Sequence, residues 1–526
     1  MAMQTANQAR RVIAYDSATD GKVFNLDKPA ADNAAMCDYW DQTDAIIAGV
    51  KGLMAKPTVF LPKFPNESKK DWEFRQSLSK LTNVFRDIVE DLASRPFEAP
   101  VTIKSGTLPA DFDDLLNNID GSGNNITAFS ADTFFNGITS AIDWIFIDYP
   151  NVASNGKVRS VADEKAAGIR PYWTHVRGRN MLEIKSAIGA NGIERLEYAR
   201  ILEPVGDEIY VRIIKLDPAN VVTWELWKAL PLQGSGRNIQ REFILDSAGI
   251  MGIDVIPLVP FMTGRRKGRS WVFDPALRDA SDLQLNVFRN ETNLEYAKVM
   301  TAYPMLSGNG VKPAMAADGK TVLPVPVGPG AALYAPPDGA GHAGSWSFIE
   351  IAATSLEFLR KDIGETITQL RELGRQPLTS QSGNLTVITT AVAAKKGNSA
   401  VQAWAGSLAM AIAAALVITG KWKNVEVKPE VQVFTDFDVD GSGGDELTSL
   451  RESRKMGDLS QETLWNEYQR RNVLSAEFDP DKERERLLAE TPVDPGDGEN
   501  EEPDGGGDPD ATKTGEKPPI PVKQAA

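Results

Sequence analysis

Apolar residues recur at helical spacing along several stretches of the chain. Phe74, Leu78, Leu81, Phe85, Ile88 and Leu92 follow one another at intervals of 4, 3, 4, 3 and 4. That spacing predicts one amphipathic helix of about five turns, closed by Pro96. Asp274-Pro275 reads as a helix start, an acceptor at the N-cap followed by proline at the first helical position. No glycine or proline then interrupts residues 276–303, which predicts a long helix stopped by Pro304 and Ser307-Gly308-Asn309-Gly310. Leu356, Leu359, Ile363, Ile367, Leu370 and Leu373 mark a second, narrow stripe, with Glu357, Lys361, Asp362, Glu365, Arg371 and Glu372 elsewhere on the surface. Gly374 ends that helix as a C-terminal cap. Two helices bridged by a proline-rich β insert predict a stalk with a tip.

The rest of the chain divides by its period. Residues 1–37 are polar and weakly patterned, an arm. Asp38–Ala55 is predicted helical, and 98–128 a loop-rich connector turning at Asp120-Gly121-Ser122-Gly123. Phe129–Tyr149 is predicted to be a helix running into a short strand at Ile145–Ile147. Between 165 and 262 the pattern alternates, with strands over 193–202, 207–216 and 221–228 in an antiparallel β subdomain. Residues 256–261 carry Pro257 and Pro260 and suit a sheet edge or connector. A further strand is predicted over Val425–Phe437, and two or three short helices over 445–490, with Ser460 and Asp479-Pro480 as caps. The predicted fold class is α+β, mainly helical with a β-rich subdomain.

Composition narrows the function classes. The chain of 526 residues is 42% hydrophobic and 25% charged, ordinary for globular material and enough for two to four subdomains. Its single cysteine, Cys37, excludes an intramolecular disulfide, and two histidines make a histidine-built metal site or a Ser-His-Asp triad a poor reading. The N-terminus lacks the apolar segment of a secretory signal. A net charge of −15 argues against tight, sequence-general DNA binding, though not against a surface past which DNA slides. From Thr491 the composition collapses to Pro, Gly, Asp and Glu. Nine acidic and three basic residues there supply −6 of the −15, and such a tail is predicted to be disordered.

Several local patterns invite a chemical reading. Asp318-Gly319-Lys320-Thr321 resembles the end of a phosphate-binding loop, but Ala314 stands where the earlier glycine belongs and prolines follow, so a turn is the better reading. Asp436, Asp438, Asp440 and Gly441 match the first half of a calcium loop, with Leu447 in place of the closing glutamate. No metal site is assigned. Arg265, Arg266, Lys267 and Arg269 form a basic cluster in a glycine-flanked loop, suited to phosphate contact or to an intersubunit ion-pair patch. Ala403–Thr419 runs 17 residues without charge, at the lower limit for a membrane span; its alanine, glycine and serine content favours a buried helix instead.

Larger pieces carry a family resemblance. FLPKFPNESKKDWEFR, the helix after it ending in Arg95-Pro96-Phe97, IPLVPFMTG, DPALRDASDLQLNVFRNETNLEYAKVMTAYPMLSGNG and VGPGAALYAPPDG follow in order. SGNLTVITTAVAAKK and GDLSQETLWNEYQRRNVL complete the set. In that order and spacing the chain resembles the portal proteins of tailed bacteriophages over roughly residues 38–490. The arm and the acidic tail match nothing in the family, and Thr389-Thr390-Ala391 stands where relatives often show Thr-Ala-Thr.

The resemblance implies a portal-like α+β fold and a non-enzymatic role. It implies a ring, typically of twelve subunits, at one capsid vertex of the virion, assembled in the host cytoplasm. Terminase packages DNA through the ring, the genome later leaves through it, and a head-tail adaptor or tail attaches to it. Other implied partners are the major capsid and scaffolding proteins and double-stranded DNA passing non-specifically, with no membrane and no cofactor. The implied parts are a wing over 38–262, a first stem helix with its lead-in over 263–303, a clip over 304–350 and a second stem helix over 351–375. A tunnel loop over 376–396, a wing helix and strand over 397–444 and a crown over 445–490 complete it. Ser382, Gly383, Asn384, Thr386, Thr389, Thr390, Lys395 and Lys396 would face DNA from a mobile loop. The alternatives are a metal-dependent nucleic-acid-processing enzyme using Asp436, Asp438 and Asp440, and another head-tail adaptor ring, although adaptors are normally shorter.

Overall fold

The computed structural model describes residues 22–150, 168–189, 191–231, 241–302, 305–311, 344–349, 353–373, 387–435, 443–470 and 478–489, with 315–316, 321, 323, 333, 335, 437 and 473–474. In chain order come β1 (Lys22–Phe24), α1 (Ala31–Ile47), α2 (Val50–Met54), α3 (Pro57–Phe60), α4 (Lys69–Ser77) and α5 (Val84–Ser94). β2 (Thr102–Ile103), α6 (Asp113–Leu116), α7 (Ile126–Ser140), β3 (Ile142–Asp148) and β4 (Tyr172–Arg177) follow. The β-rich stretch holds β5 (Met181–Ile188), β6 (Glu194–Val205), β7 (Glu208–Leu216), β8 (Val222–Ala229), β9 (Glu242–Ile250), β10 (Leu258–Met262), β11 (Arg265–Arg266) and β12 (Phe273–Asp274). Then come α8 (Arg278–Ala302), β13 (Met305–Asn309), β14 (Ser345–Ile349), α9 (Ala353–Leu373), α10 (Val387–Trp422), β15 (Val431–Gln432), α11 (Gly443–Met456) and α12 (Gln461–Arg470). Residues 477–526 form a separate unit, represented by α13 (Pro480–Ala489).

The architecture is α+β, organised around a wall. β3 pairs antiparallel with β10 on one side and β4 on the other. Its side chains alternate between two cores: Ile145 and Ile147 enter the larger one, Ile142, Trp144 and Phe146 the second. A strand buried on both faces reads as a continuous apolar run, which is why only its centre stood out as a strand. The larger core also takes α5, α7, the start of α8 and the inner face of α10, through residues such as Ile88, Phe134, Phe288 and Leu408. Three indoles fasten α10 to its surroundings: Trp173 Nε1 donates to Thr419 Oγ1 at 2.9 Å, Trp422 Nε1 to the Ile147 carbonyl and Trp404 Nε1 to the Thr263 carbonyl at 3.1 Å each. The charge-free stretch within Ala400–Trp422 is long and apolar enough to cross a membrane, and half of it is buried here as a core helix.

The second sheet is a six-stranded antiparallel half-barrel in the order β1-β9-β8-β7-β6-β5. Along β7, Ile214 and Leu216 join the core shared with the wall, whereas Val211 and Ile213 enter a small core on the other face with Leu26, Trp227 and Phe243. The three predicted strands of this region are present at nearly the expected bounds, and β10 is an edge strand as its prolines suggested.

Four expectations need correction. The helix predicted over 74–92 is two helices, because residues 78–83 leave helical geometry, with the N–H groups of Lys80 and Thr82 donating to side chains of α8. As a result Phe74 is 44% exposed and Arg75 is buried. The arm over 1–37 is in part built into the fold: β1 extends the half-barrel, Met36 is buried, Ala30 N donates to the Leu182 carbonyl at 2.8 Å, and Asn33 Nδ2 to that of Met181 at 2.6 Å. Those carbonyls belong to edge strand β5, whose free acceptors draw in polar chain. Among the described residues, the strand predicted over 425–437 pairs at Val431–Gln432, with Thr102–Ile103; Val427, Val433 and Phe437 are buried. The loop predicted over 376–396 is already helical from Val387.

Candidate functional site

Two features offer functional surfaces. The first is the helix pair. α8 runs 25 residues and α9 runs 21, joined through the antiparallel β13–β14 pair. The helices lie side by side, with Asn290 Nδ2 donating to Asp362 Oδ2 at 3.4 Å. Ile363 and Leu370 of the predicted stripe are buried, whereas Leu373 is 45% exposed and Phe358, off the stripe, is 70% exposed. At the tip Gly308 lies opposite Trp346, and a Cβ on Gly308 would stand 2.9 Å from that indole. α8 is anchored to the body by polar side chains: Gln284, Glu291 and Thr292 accept from the backbone N–H groups of Phe85, Thr82 and Lys80. Arg289 donates to the carbonyls of Phe60 and Val59.

The second feature is the β11–β12 hairpin, which gathers all four residues of the basic cluster. Arg266 is not available to a phosphate, and here the expectation is corrected. Its guanidinium grips both carboxylate oxygens of Glu194 at 2.7 Å, donates to the Ser270 and Arg269 carbonyls at 2.8 and 2.9 Å, and lies 4.0 Å over the Trp271 ring. Those bonds, with one from Ser186, hold Glu194 down to about 2. Arg265, Lys267 and Arg269 are exposed. The base of the hairpin is fixed by Ala141, whose carbonyl accepts from Thr263 N and Gly264 N at 3.0 and 2.9 Å.

Ser382, Gly383, Asn384 and Thr386 lie outside the described residues, so the loop expected there is not described. Thr389, Thr390, Lys395 and Lys396 lie on the backbone of α10, in its first turns. Asp436, Asp438 and Asp440 also fall outside the described residues. Among the described residues no three His, Cys, Asp or Glu side chains are grouped to hold a metal ion. Of the loop that resembled a phosphate-binding motif, Thr321 is described; its carbonyl accepts from Ala316 N at 2.8 Å.

One polar constellation escaped the sequence reading. Asp143, fully buried, accepts from Ser140 Oγ at 2.7 Å and from Gly178 N at 2.6 Å, and pairs with His175 Nε2 at 2.8 Å. Serine and histidine both bond the aspartate, so the histidine is not placed to take the serine proton. The node ties α7, β3 and β4 together and carries no catalytic geometry. Nothing in the spacing of the three residues could have found it.

A family described as a domain of unknown function (DUF4055) matches residues 276–423, the span of α8, the tip, α9 and α10. No curated protein matches the chain. Among solved structures the chain is similar to a protein of the neck of a native GTA particle, computed with C12 symmetry. There the identity is 13%, covering 72% of this chain and 87% of that one, with a TM-score of 0.35. It is also similar to a protein of the neck of an empty GTA particle, computed with C6 symmetry, at 12% identity, 81% and 95% coverage and a TM-score of 0.37.

Proposed function

We propose that this chain is a portal protein: a subunit of a ring at one capsid vertex that conducts double-stranded DNA during packaging and ejection and receives the adaptor or tail. The observation that carries the reading is the α8–tip–α9 unit, which coincides with the segments resembling the stem and clip of tailed-phage portals. At 1.5 Å per residue the helices are about 37 and 31 Å long. A tip of paired strands between two such helices has little to do in an isolated subunit. In a ring, the helices would line or brace a channel and the tip would meet a partner.

Exposed apolar side chains support the same reading. Phe358 on α9 and Met410 on α10 are each 70% exposed, and Val417 adds to the outer face of α10. A neighbouring copy would remove them from water, at about 25 cal/mol for each Å² of apolar surface. The acidic balance also suits passage, since each phosphate neutralised adds affinity and would slow a sliding duplex. Terminase, capsid, scaffolding and adaptor proteins are the partners this role requires, and the role involves no catalysis.

The deciding experiment is mass photometry of the purified chain, followed by negative-stain microscopy. A species many times 57.3 kDa, seen end-on as a ring, is the expected result. A stable monomer at micromolar concentration across several salt conditions would overturn the reading. Magnesium-dependent DNA cleavage by a pure sample would instead support the metal-dependent enzyme.

A further inference from the structure

We infer that the β11–β12 hairpin is a contact for the phosphate backbone of duplex DNA, on the body of the protein. Three observations meet there. First, the tip carries cations without ion pairs: Arg265, Lys267 and Arg269 are exposed, and no carboxylate within salt-bridge distance faces them among the described residues. Of the acidic groups nearby, Glu194 is hydrogen-bonded by Arg266 and also within electrostatic reach of Arg269, and Asp32 Oδ2 accepts from Trp271 N at 2.8 Å. Asp274, opposite Arg265 in the ladder, lies 4.0 Å from Arg278 and offsets only part of the local positive charge.

Second, the turn presents backbone donors. Lys267 N donates to the Val272 carbonyl and Ser270 N to the Lys267 carbonyl, but the N–H groups of Gly268 and Arg269 between them have no partner among the described residues. Gly268 has φ +60°. Consecutive turn N–H groups beside a left-handed residue form a concave donor arrangement that suits an oxyanion. Third, the hairpin is held rigid. Ala141 fixes its base, and Arg266 fixes its tip through four hydrogen bonds and the Trp271 ring. Little ordering entropy remains to be lost on binding.

The same geometry suits phosphate. Arg265 and Arg269 each present an exposed guanidinium and Lys267 an ammonium, and guanidinium forks pair with phosphate as they do with carboxylate. Spaced cations and backbone donors around an open turn match the repeated tetrahedral phosphates of a nucleic-acid backbone. Trp271, the hairpin's indole, is covered by Arg266 and only 9% exposed, so no ring is offered to an unstacked base. The contact is therefore with duplex and independent of sequence. In a chain of net charge −15 it is a local exception, which holds DNA against the body without making the whole surface adhesive.

The test is fluorescence anisotropy of a labelled 30-base-pair duplex with the full chain, from 50 to 200 mM NaCl. Three phosphate contacts predict a slope of about −2.7 in log affinity against log salt, hence about 40-fold weaker binding across that range. The variant Arg265→Gln/Lys267→Gln/Arg269→Gln should lose most of the affinity and nearly all of that slope. Lys69→Gln/Lys428→Gln, altering two exposed lysines elsewhere, should change neither. An unchanged slope in the triple variant, or no duplex binding at 50 mM, overturns the inference. So does displacement of the duplex by poly-glutamate at equal charge concentration, which would point to an acidic protein partner. The inference stands apart from the ring: a monomer with a hairpin-dependent slope loses only the portal reading, and a ring whose slope ignores the hairpin loses only this one.

Discussion

The backbone N–H and the hydroxyl of Thr82 both donate to the carboxylate of Glu291, at 2.6 Å each, across 209 positions of sequence. This pair explains why an unbroken apolar period does not give an unbroken helix. A continued helix would place the Thr82 N–H on its own fourth-preceding carbonyl; the α8 carboxylate offers a charged acceptor instead, roughly twice as strong as a neutral one. Gln284 does the same for Phe85, accepting its N–H at 2.8 Å while donating to the Thr82 carbonyl at 2.9 Å.

Glu291→Ala should therefore cost about 1–3 kcal/mol, the range for leaving a buried donor without its partner. Glu291→Gln, which retains one acceptor oxygen, should cost less, and Thr82→Val least, since its N–H bond survives. Urea midpoints of the three variants give the order.

Arg75 and Glu67 form a buried pair, with side chains 1% and 6% exposed and two 2.8 Å hydrogen bonds. Arg75 also donates to the Pro62 carbonyl and to Asn293 Oδ1, and covers the Phe64 ring at 4.1 Å. Arg75→Ala leaves a buried carboxylate without its partner and should cost about 3–5 kcal/mol. Arg75→Met with Glu67→Leu should recover much of that loss. Thermal unfolding that ranks the double variant below the single one would remove the pair from the account.

Acid should loosen the hairpin before the cores. Glu194 sits at about 2 when folded against an ordinary 4.5, chiefly because Arg266 hydrogen-bonds it. Its folded value lies below the unfolded one, so the stabilisation is complete above about pH 4.5 and is lost as pH falls towards 2. The side chain is 40% exposed, so solvent screening keeps the effect near 1 kcal/mol. Glu194→Gln should flatten this share of the stability profile between pH 5 and 2, measured by denaturant titration at each pH.

Gly137 lies in α7 under Phe261, and a Cβ there would stand 2.3 Å from the ring. Alanine in a helix interior normally gains about 1 kcal/mol over glycine. Here overpacking should reverse the sign, for a net loss of about 1–2 kcal/mol. Phe261→Leu should relieve the clash, so the double variant should lose less than the two single losses summed.

Assembly should depend on Phe358. Phe358→Asp puts a charge where a neighbouring copy would bury the ring, while the 70% exposed site leaves the isolated fold unstrained. Mass photometry should show smaller species with unchanged circular dichroism. A variant that assembles like the parent would place the subunit contact elsewhere.

The sequence by itself determined the elements whose periodicity answers to one neighbour. The stripe Leu356, Leu359, Ile363, Ile367 and Leu370 faces inward because a helix with one apolar side has one stable orientation. The alternation of the half-barrel strands and the edge position of the proline-bearing β10 were legible for the same local reason. Tertiary structure decided whatever depended on polar partners far away in sequence. It broke the helix at Thr82, drew Ala30 and Asn33 to the β5 edge, and turned Arg266 from an apparent phosphate ligand into the clamp of its own hairpin. It also built the Asp143 node from residues with no shared motif. Apolar period records burial, which one stretch can declare alone. A buried hydrogen bond needs a specific donor and a specific acceptor, and here they meet only when the chain has folded.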